Sequence, residues 1–156
     1  MSRITPCLWL KDQAEEAARF YVSILPDSRI DAVHRATVES PGPKVGDVLL
    51  VEFTLAGQKF QAINGGMDVQ YGLAVSMSFE AHGQAELDRV WDALLDGGKA
   101  QQCGWLADRY GLHWQILYDG FQRHMADPAK AKAAMTEVFK MVKLDIATIE
   151  KAAATA

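Results

Sequence analysis

Seven side chains in this 156-residue chain have the types and spacing from which a site could be built: Cys7, Trp9, Gln61, Ser76, Trp105, His113 and Gln115. They belong to no hydrolytic or phosphate-binding signature, since GxSxG, HExxH and P-loop patterns are all missing from the chain. Their chemistry is neutral hydrogen bonding set beside aromatic walls, which is the usual composition of a small-molecule site. A second reading gives His113 or Cys7 the role of proton carrier, with the two glutamines as orienting amides. Each residue also has a plainer use. Gln61 and Gln115 could satisfy each other, the tryptophans could serve a core, and Cys7 and Cys103 could be small buried hydrophobes with no cation or helix start to activate them. His34, His82 and His124 have no evident sequence partner and are assigned no role.

Two of the seven sit in a duplicated stretch. Residues 57–64 read GQKFQAIN and residues 111–118 read GLHWQILY; each opens on Gly, then places an aromatic, a Gln and apolar residues in the same order. The copies extend upstream. ITPCLWL (4–10) and AVSMSFE (74–80) read as short strands, each followed by a helical pattern in which Ala17, Phe20, Tyr21, Ile24 and Leu25 correspond to Leu87, Val90, Trp91, Leu94 and Leu95. Pro26-Asp27-Ser28 and Asp96-Gly97-Gly98 stop the two helices. Further strands follow: RIDAVHRAT, DVLLVEFTLA and GQKFQAIN in one copy, KAQQCGWLAD and GLHWQILY in the other. The unit is βαβββ, written twice. The predicted organisation is one α+β domain over 1–156, with modules at 3–66 and 72–118 and a helical extension at 119–152. SPGPKVGD (40–47) is an inserted loop and residues 64–68 a turn-rich joint.

A four-stranded sheet with one helix leaves its second face to be covered, so the two sheets are expected to curl around a shared cleft. Strand alternation then assigns faces. Val75, Met77, Phe79, Trp114, Ile116 and Tyr118 go to the helix side. Thr5, Cys7, Trp9, Lys59, Gln61, Ile63, Ala74, Ser76, Ser78, His113, Gln115 and Leu117 go to the cleft, with Trp105 as a wall.

Composition narrows the partners. A net charge of -4 and a pI near 5.5, without a run of Lys and Arg among aromatics, argue against a nucleic-acid surface. The first apolar run is too short for a signal segment or a membrane span, and two distant cysteines without CxxC suit a reducing compartment. The expectation is a cytoplasmic protein with neither a nucleic-acid nor a membrane partner.

The tandem βαβββ pattern resembles the vicinal oxygen chelate superfamily, which includes glyoxalase I, extradiol dioxygenases and the bleomycin and fosfomycin resistance proteins. Within it, AEEAARFYVSILPDSRI, FQAINGG, QCGWLADRYGLHWQI and KLDIATIEKA resemble the PhnB-like group, catalogued as 3-demethylubiquinone-9 3-methyltransferases. The resemblance spans residues 3–151 and implies the glyoxalase/bleomycin resistance fold. In metal-dependent members it implies four ligands, which by motif position fall near Thr5 and Ala74 and on Gln61 and Gln115. A set of threonine, alanine and two neutral amides is a poor transition-metal site, even if a slip of the first strand brings Cys7 in, so no metal or other cofactor is expected. The turn KDQAEE after the first strand lacks the glycine-rich pattern of common S-adenosylmethionine enzymes.

Beyond the repeat, Asp127 and Pro128 can start a helix in which Ala131, Met135, Val138, Val142, Ile146 and Ile149 form one stripe, read as a long amphipathic helix. It packs on its own domain or on a second subunit, and the superfamily's dimeric habit points to a homodimer. Two functional classes follow. One is a metal-free binding protein for a small, partly aromatic molecule; the other is a small-molecule enzyme, the family's methyltransferase-type activity included.

Overall fold

The glycines that open the two duplicated stretches have the same job. Gly57 (φ 79°) and Gly111 (φ 82°) lie in the left-handed region, where a side chain is strained, and each turns the chain into the last strand of its copy. In the first copy the turn is the two-residue pair Ala56 (φ 45°) and Gly57 between Leu55 and Gln58, whose positive φ values match the twist of a hairpin.

The structure is a computed structural model that describes residues 3–156. The chain divides into two compact units, Met1–Gln70 and Tyr71–Ala156. The first contains β1 (Cys7–Leu10), α1 (Ala14–Ile24), β2 (Arg29–Arg35), β3 (Val48–Leu55) and β4 (Gln58–Asn64), with sheet order β1-β4-β3-β2. The second contains β5 (Ser76–Ala81), α2 (Gln84–Leu95), β6 (Lys99–Ala100), β7 (Trp105–Ala107) and β8 (His113–Tyr118), in order β5-β8-β7-β6. In both, the first strand runs parallel to the last and the other pairs are antiparallel. The βαβββ repeat is therefore present in the topology of each unit. No helix among the described residues is long and apolar enough to cross a membrane.

Each helix covers one face of its own sheet. Ala14, Ala17, Ala18, Tyr21 and Ile24 of α1 are buried, as are Leu87, Val90, Trp91 and Leu94 of α2, so the two helices present equivalent positions of the repeat. Beneath α1 lie Val51, Phe53, Phe60 and Ala62, with the Phe53 and Phe60 rings stacked 5.7 Å apart. The second sheet contributes Phe79, Leu106, Trp114, Ile116 and Tyr118 to its core.

Two buried polar residues anchor the units. Asn64 accepts the Ala14 N–H at 2.8 Å, capping a helix whose own N-cap, Gln13, offers no side-chain bond, and donates to the Val48 carbonyl at 2.9 Å. Asp108, only 4% exposed, accepts from Tyr110 N, Leu112 N and Trp114 Nε1 at 2.8, 3.1 and 2.8 Å.

Three expectations need correction. Val75 does not join the core: β5 begins at Ser76, and Val75 is 65% exposed in the bend before it, with Ala74 in the preceding turn. KAQQCGWLAD is two short strands joined by a turn at which Cys103 has φ 63°. The C-terminal segment is helical and Asp127 caps it as expected, but it forms α3 (Phe121–Met125), α4 (Pro128–Val138) and α5 (Ile146–Ala154). The stripe breaks at 139–145 because that backbone is used elsewhere. Met141 and Val142 carbonyls accept from Cys103 N and Gly104 N at 2.8 Å each, and Gln84 accepts from Ile146 N while donating to the Leu144 carbonyl. Lys143 pairs with Asp92 and Asp88 of α2, Leu144 is buried against Gly104, and Asp145 caps α5.

Replacing Asp108 by Ala leaves buried N–H donors without their acceptor, at a cost of about 1–3 kcal/mol for each such group. Urea denaturation of Asp108→Ala is expected to show a loss of at least about 3 kcal/mol with an unchanged m-value; a loss below about 1 kcal/mol would contradict the anchoring role.

Candidate functional site

On the first sheet, alternation and register place a row of polar groups on the face opposite α1. Cys7 of β1 is the partner of Gln61 on β4, and Gln61 is the partner of Glu52 on β3. The neighbouring row runs Trp9, Ile63, Leu50, His34, and on the other side Lys59, Thr54 and Arg29 align. Three of the sequence candidates, Cys7, Trp9 and Gln61, thus share one face, as read from the strands.

Gln61 does not stand among neutral groups. Its Nε2 lies 3.5 Å from Glu52 Oε1, and His34 Nε2 lies 3.5 Å from Glu52 Oε2. Nearby, Asp31 accepts from Thr54 Oγ1 at 2.6 Å and pairs with Lys59 Nζ at 2.8 Å and Arg29 Nε at 2.9 Å. The Lys59 and Thr54 hydrogen bonds hold the Asp31 carboxyl below the usual carboxylate range. A cavity of about 240 Å³ is lined by Thr5, Asp31, Glu52, Lys59, Phe60 and Gln61. The sequence reading missed Glu52, although a signal existed: the two-residue turn at 56–57 sets the β3/β4 register and with it the partner of Gln61.

Cys7 is exposed rather than a buried hydrophobe, because it lies at the start of an edge strand on the uncovered face. Partial desolvation of its sulfur raises the thiol pKa, away from the reactive thiolate. Both Cys7 and Cys103 are free thiols. Trp9 is 37% exposed and donates from Nε1 to the Met67 carbonyl at 2.9 Å.

On the second sheet, Ser76 is the partner of His113, and Ser78, Gln115 and Trp105 form the next row. Gln115 Nε2 donates to Ser76 Oγ at 2.9 Å, so the amide is held within its own sheet. His113 is 9% exposed and its Nδ1 lies 3.3 Å from Gln101 Nε2. Ser76, Trp105, His113 and Gln115 are together on this face. The remaining histidines do have partners, each supplied by a separate element. His34 meets Glu52, His82 Nδ1 lies 3.0 Å from Asp119 Oδ2, and buried His124 places Nε2 2.9 Å from Glu150 Oε1. The Asp119 contact raises the His82 pKa, and the His124 contact lowers that of Glu150.

A second cavity of the first unit is lined by none of the seven sequence candidates. It measures about 560 Å³ at the end of β1 and the start of α1, and is lined by Lys11, Asp12, Glu15, Glu16, Arg35 and Asp47 together with Pro41, Gly42, Asn64 and Gly66. It mixes both signs of charge around a glycine-bearing loop pair.

No group of three or more His, Cys, Asp or Glu side chains among the described residues is arranged so that it could hold a metal ion. Of the positions implied for metal ligands, Thr5 precedes β1, Ala74 lies in a turn, and Gln61 and Gln115 are neutral amides engaged with Glu52 and Ser76. These donors do not fit a transition metal.

Trp9 keeps its orientation because Gly65 lacks a side chain: a Cβ there would lie 1.9 Å from Trp9 Cζ2. Gly65→Ala is expected to swing the indole away and break its bond to Met67, shifting Trp9 emission to the red and lowering stability by about 1–2 kcal/mol. Fluorescence read against Trp9→Phe checks this, and an unshifted spectrum would refute the packing.

The comparisons agree with this architecture. The family model described as 3-demethylubiquinone-9 3-methyltransferase matches residues 2–117. A PhnB protein from Bacillus cereus, which carries that methyltransferase name, is 31% identical with a TM-score of 0.67, covering 75% of this chain and 99% of its own. Protein PA1353 from Pseudomonas aeruginosa is 21% identical, TM-score 0.60, over 76% of this chain and 100% of that one. The fosfomycin resistance protein FosX from Listeria monocytogenes, solved with Mn(II) and sulfate, shares the fold at 13% identity and a TM-score of 0.52, over 75% and 89% of the two chains. No curated protein matches the chain. With the matched model spanning most of its length, and both units built as βαβββ, the chain belongs to the PhnB-like 3-demethylubiquinone-9 3-methyltransferase family and has the glyoxalase/bleomycin resistance fold.

Proposed function

We propose that this protein binds a small, partly aromatic organic molecule without a transition metal, through the open faces of its sheets. The observation that carries the reading is the donor chemistry. Where metal-dependent relatives are expected to place His and Glu, this chain has Thr5, Ala74, Gln61 and Gln115, and its open faces offer amides, hydroxyls and indoles, beside the Glu52 and Asp31 carboxylates of the first sheet. Trp9 and the half-buried Trp105 supply flat apolar surface, and Gln61, Ser76, His113 and Gln115 supply orientation. FosX was solved with Mn(II), but nothing in the donor set of this chain asks for the same ion.

The enzymatic reading has one observation in its favour, the His34–Glu52 contact, which pairs an imidazole with a carboxylate on an exposed face. His113 and Cys7 suit proton transfer less well, the first being buried against Gln101 and the second having a raised thiol pKa. Methyl transfer has less support. The turn after β1, Lys11-Asp12-Gln13, contains no glycine, and the helix that follows opens with Glu15 and Glu16.

In the same proposal the protein is a cytoplasmic homodimer. Its two free thiols suit a reducing compartment. Phe139 (66% exposed) and Val142 (42%) stand on the strap between α4 and α5, where a second subunit would cover them.

A thermal-shift screen tests the ligand reading, since a ligand bound only by the native state raises the melting temperature. Aromatic small molecules are expected to raise it, whereas Mn(II), Ni(II), Zn(II) and S-adenosylmethionine leave it unchanged. A stoichiometric metal that survives chelation, or tight S-adenosylmethionine binding, would sink the reading. Sedimentation at micromolar concentration is expected to give a dimer, and Phe139→Asp to shift it toward monomer; a wild-type monomer would remove the dimer.

A further inference from the structure

Among the groups on the open face of the first sheet, one acceptor is strongly underused. Asp31 is fully engaged, taking Thr54 Oγ1 at 2.6 Å, Lys59 Nζ at 2.8 Å and Arg29 Nε at 2.9 Å. Both nearby cations are thereby committed to it. Glu52, by contrast, has only two contacts among the described residues, to Gln61 Nε2 and His34 Nε2, each at 3.5 Å and so at the outer limit of a hydrogen bond. An ionised carboxylate has about four acceptor positions. Glu52 is also accessible, its side chain 43% exposed, and it lines the 240 Å³ cavity with Gln61.

Gln61 completes the arrangement. With its amide nitrogen facing Glu52, its carbonyl oxygen is left to accept, and no described group donates to it. Beside the mutually paired Asp31 and Lys59, the cavity therefore offers a second carboxylate and a neutral acceptor, on residues that are direct partners across β3 and β4. A partner for both needs at least two hydrogen-bond donors, and a positive charge on them strengthens the bond to the carboxylate.

We propose that Glu52 and the Gln61 carbonyl receive a protonated nitrogen base, so that the ligand of this face is an organic cation of the ammonium, amidinium or guanidinium type. The inference rests on the reading that the open face of the first sheet is a ligand surface, and it goes further by giving that ligand a charge. An anionic ligand would meet Glu52 directly, while Lys59 and Arg29 already serve Asp31. The net charge of -4 also favours the approach of a cation. A cavity of this volume suits the charged head of a ligand, whose apolar part would extend along the face toward Cys7 and Trp9 in the adjoining β1.

Three isosteric probes test the charge directly: benzamidine, benzamide and benzoate, titrated into the ¹⁵N-labelled full chain and followed by heteronuclear NMR. Benzamidine is expected to perturb the Gln61 side-chain amide and the β3–β4 backbone saturably, with benzamide and benzoate much weaker. Glu52→Gln should weaken benzamidine by at least about tenfold, the scale of a lost charge-assisted hydrogen bond. Glu39→Gln, which removes the same charge from the 36–47 loop, should not. The dispersion of each spectrum shows that the variant is folded. Benzoate binding the same residues as well as benzamidine, or benzamidine affinity unchanged in Glu52→Gln, overturns the cation while leaving the face a ligand site. If none of the three probes perturbs these residues, and a broader fragment set also leaves them silent, both the cation and the binding surface are refuted.

Discussion

Everything in each unit hangs on the position of its last strand. β4 and β8 are paired on both sides, parallel to the first strand and antiparallel to the third, so their side-chain alternation decides the faces of the whole sheet. A slip of one residue would bring Phe60 and Trp114 out of the cores and turn Gln61 and Gln115 into them, burying two amides against apolar surface. The duplicated order of Gly, aromatic and Gln is the minimal instruction for that placement: a left-handed turn, a core anchor and a polar group on the uncovered side.

The same two strands are tied down by polar anchors of different design, one at the end of β4 and one before β8. In the first unit Asn64 closes β4 by capping α1 and bonding to Val48, which fixes the helix to the sheet beside the 560 Å³ cavity that Asn64 lines. In the second, Asp108 organises the turn before β8 and holds the Trp114 indole from the core side. The second unit also carries a strap, residues 139–145, bound to the 103–104 turn, to Gln84 and to the acidic residues of α2. The copies have kept one topology while their cores and supports diverged.

Family membership and chemistry separate at the open faces. One fold hosts unrelated activities, so the methyltransferase name describes relatives, and the residues on this chain's sheets must speak for themselves. On the second sheet Gln115, Ser76 and His113 bond to one another's strands and to Gln101, while Glu80 and Lys99 share their face by register without touching either amide. On the first sheet the open-face residues are charged and organised around two carboxylates, one engaged by cations and one held only by long contacts. That asymmetry between two copies of one module separates the roles of Gln61 and Gln115.

The amino-acid order alone determined the βαβββ repeat, the buried stripes of α1 and α2, and the faces of Cys7, Trp9, Ser76, His113 and Gln115. Periods of two and 3.6 residues depend only on local geometry and on which side of an element is apolar. Tertiary structure decided what stands opposite. Glu52 faces Gln61 through the register of a hairpin, and a reading of one strand at a time does not contain its neighbour. Val75 lost its place in the core because β5 begins at Ser76, the first residue with a partner on β8. The C-terminal stripe, continuous in sequence, became two longer helices after a short one. Hydrogen bonds from Cys103, Gly104 and Gln84 occupy the backbone of residues 141–146, and such long-range partners outweigh a modest local preference for helix.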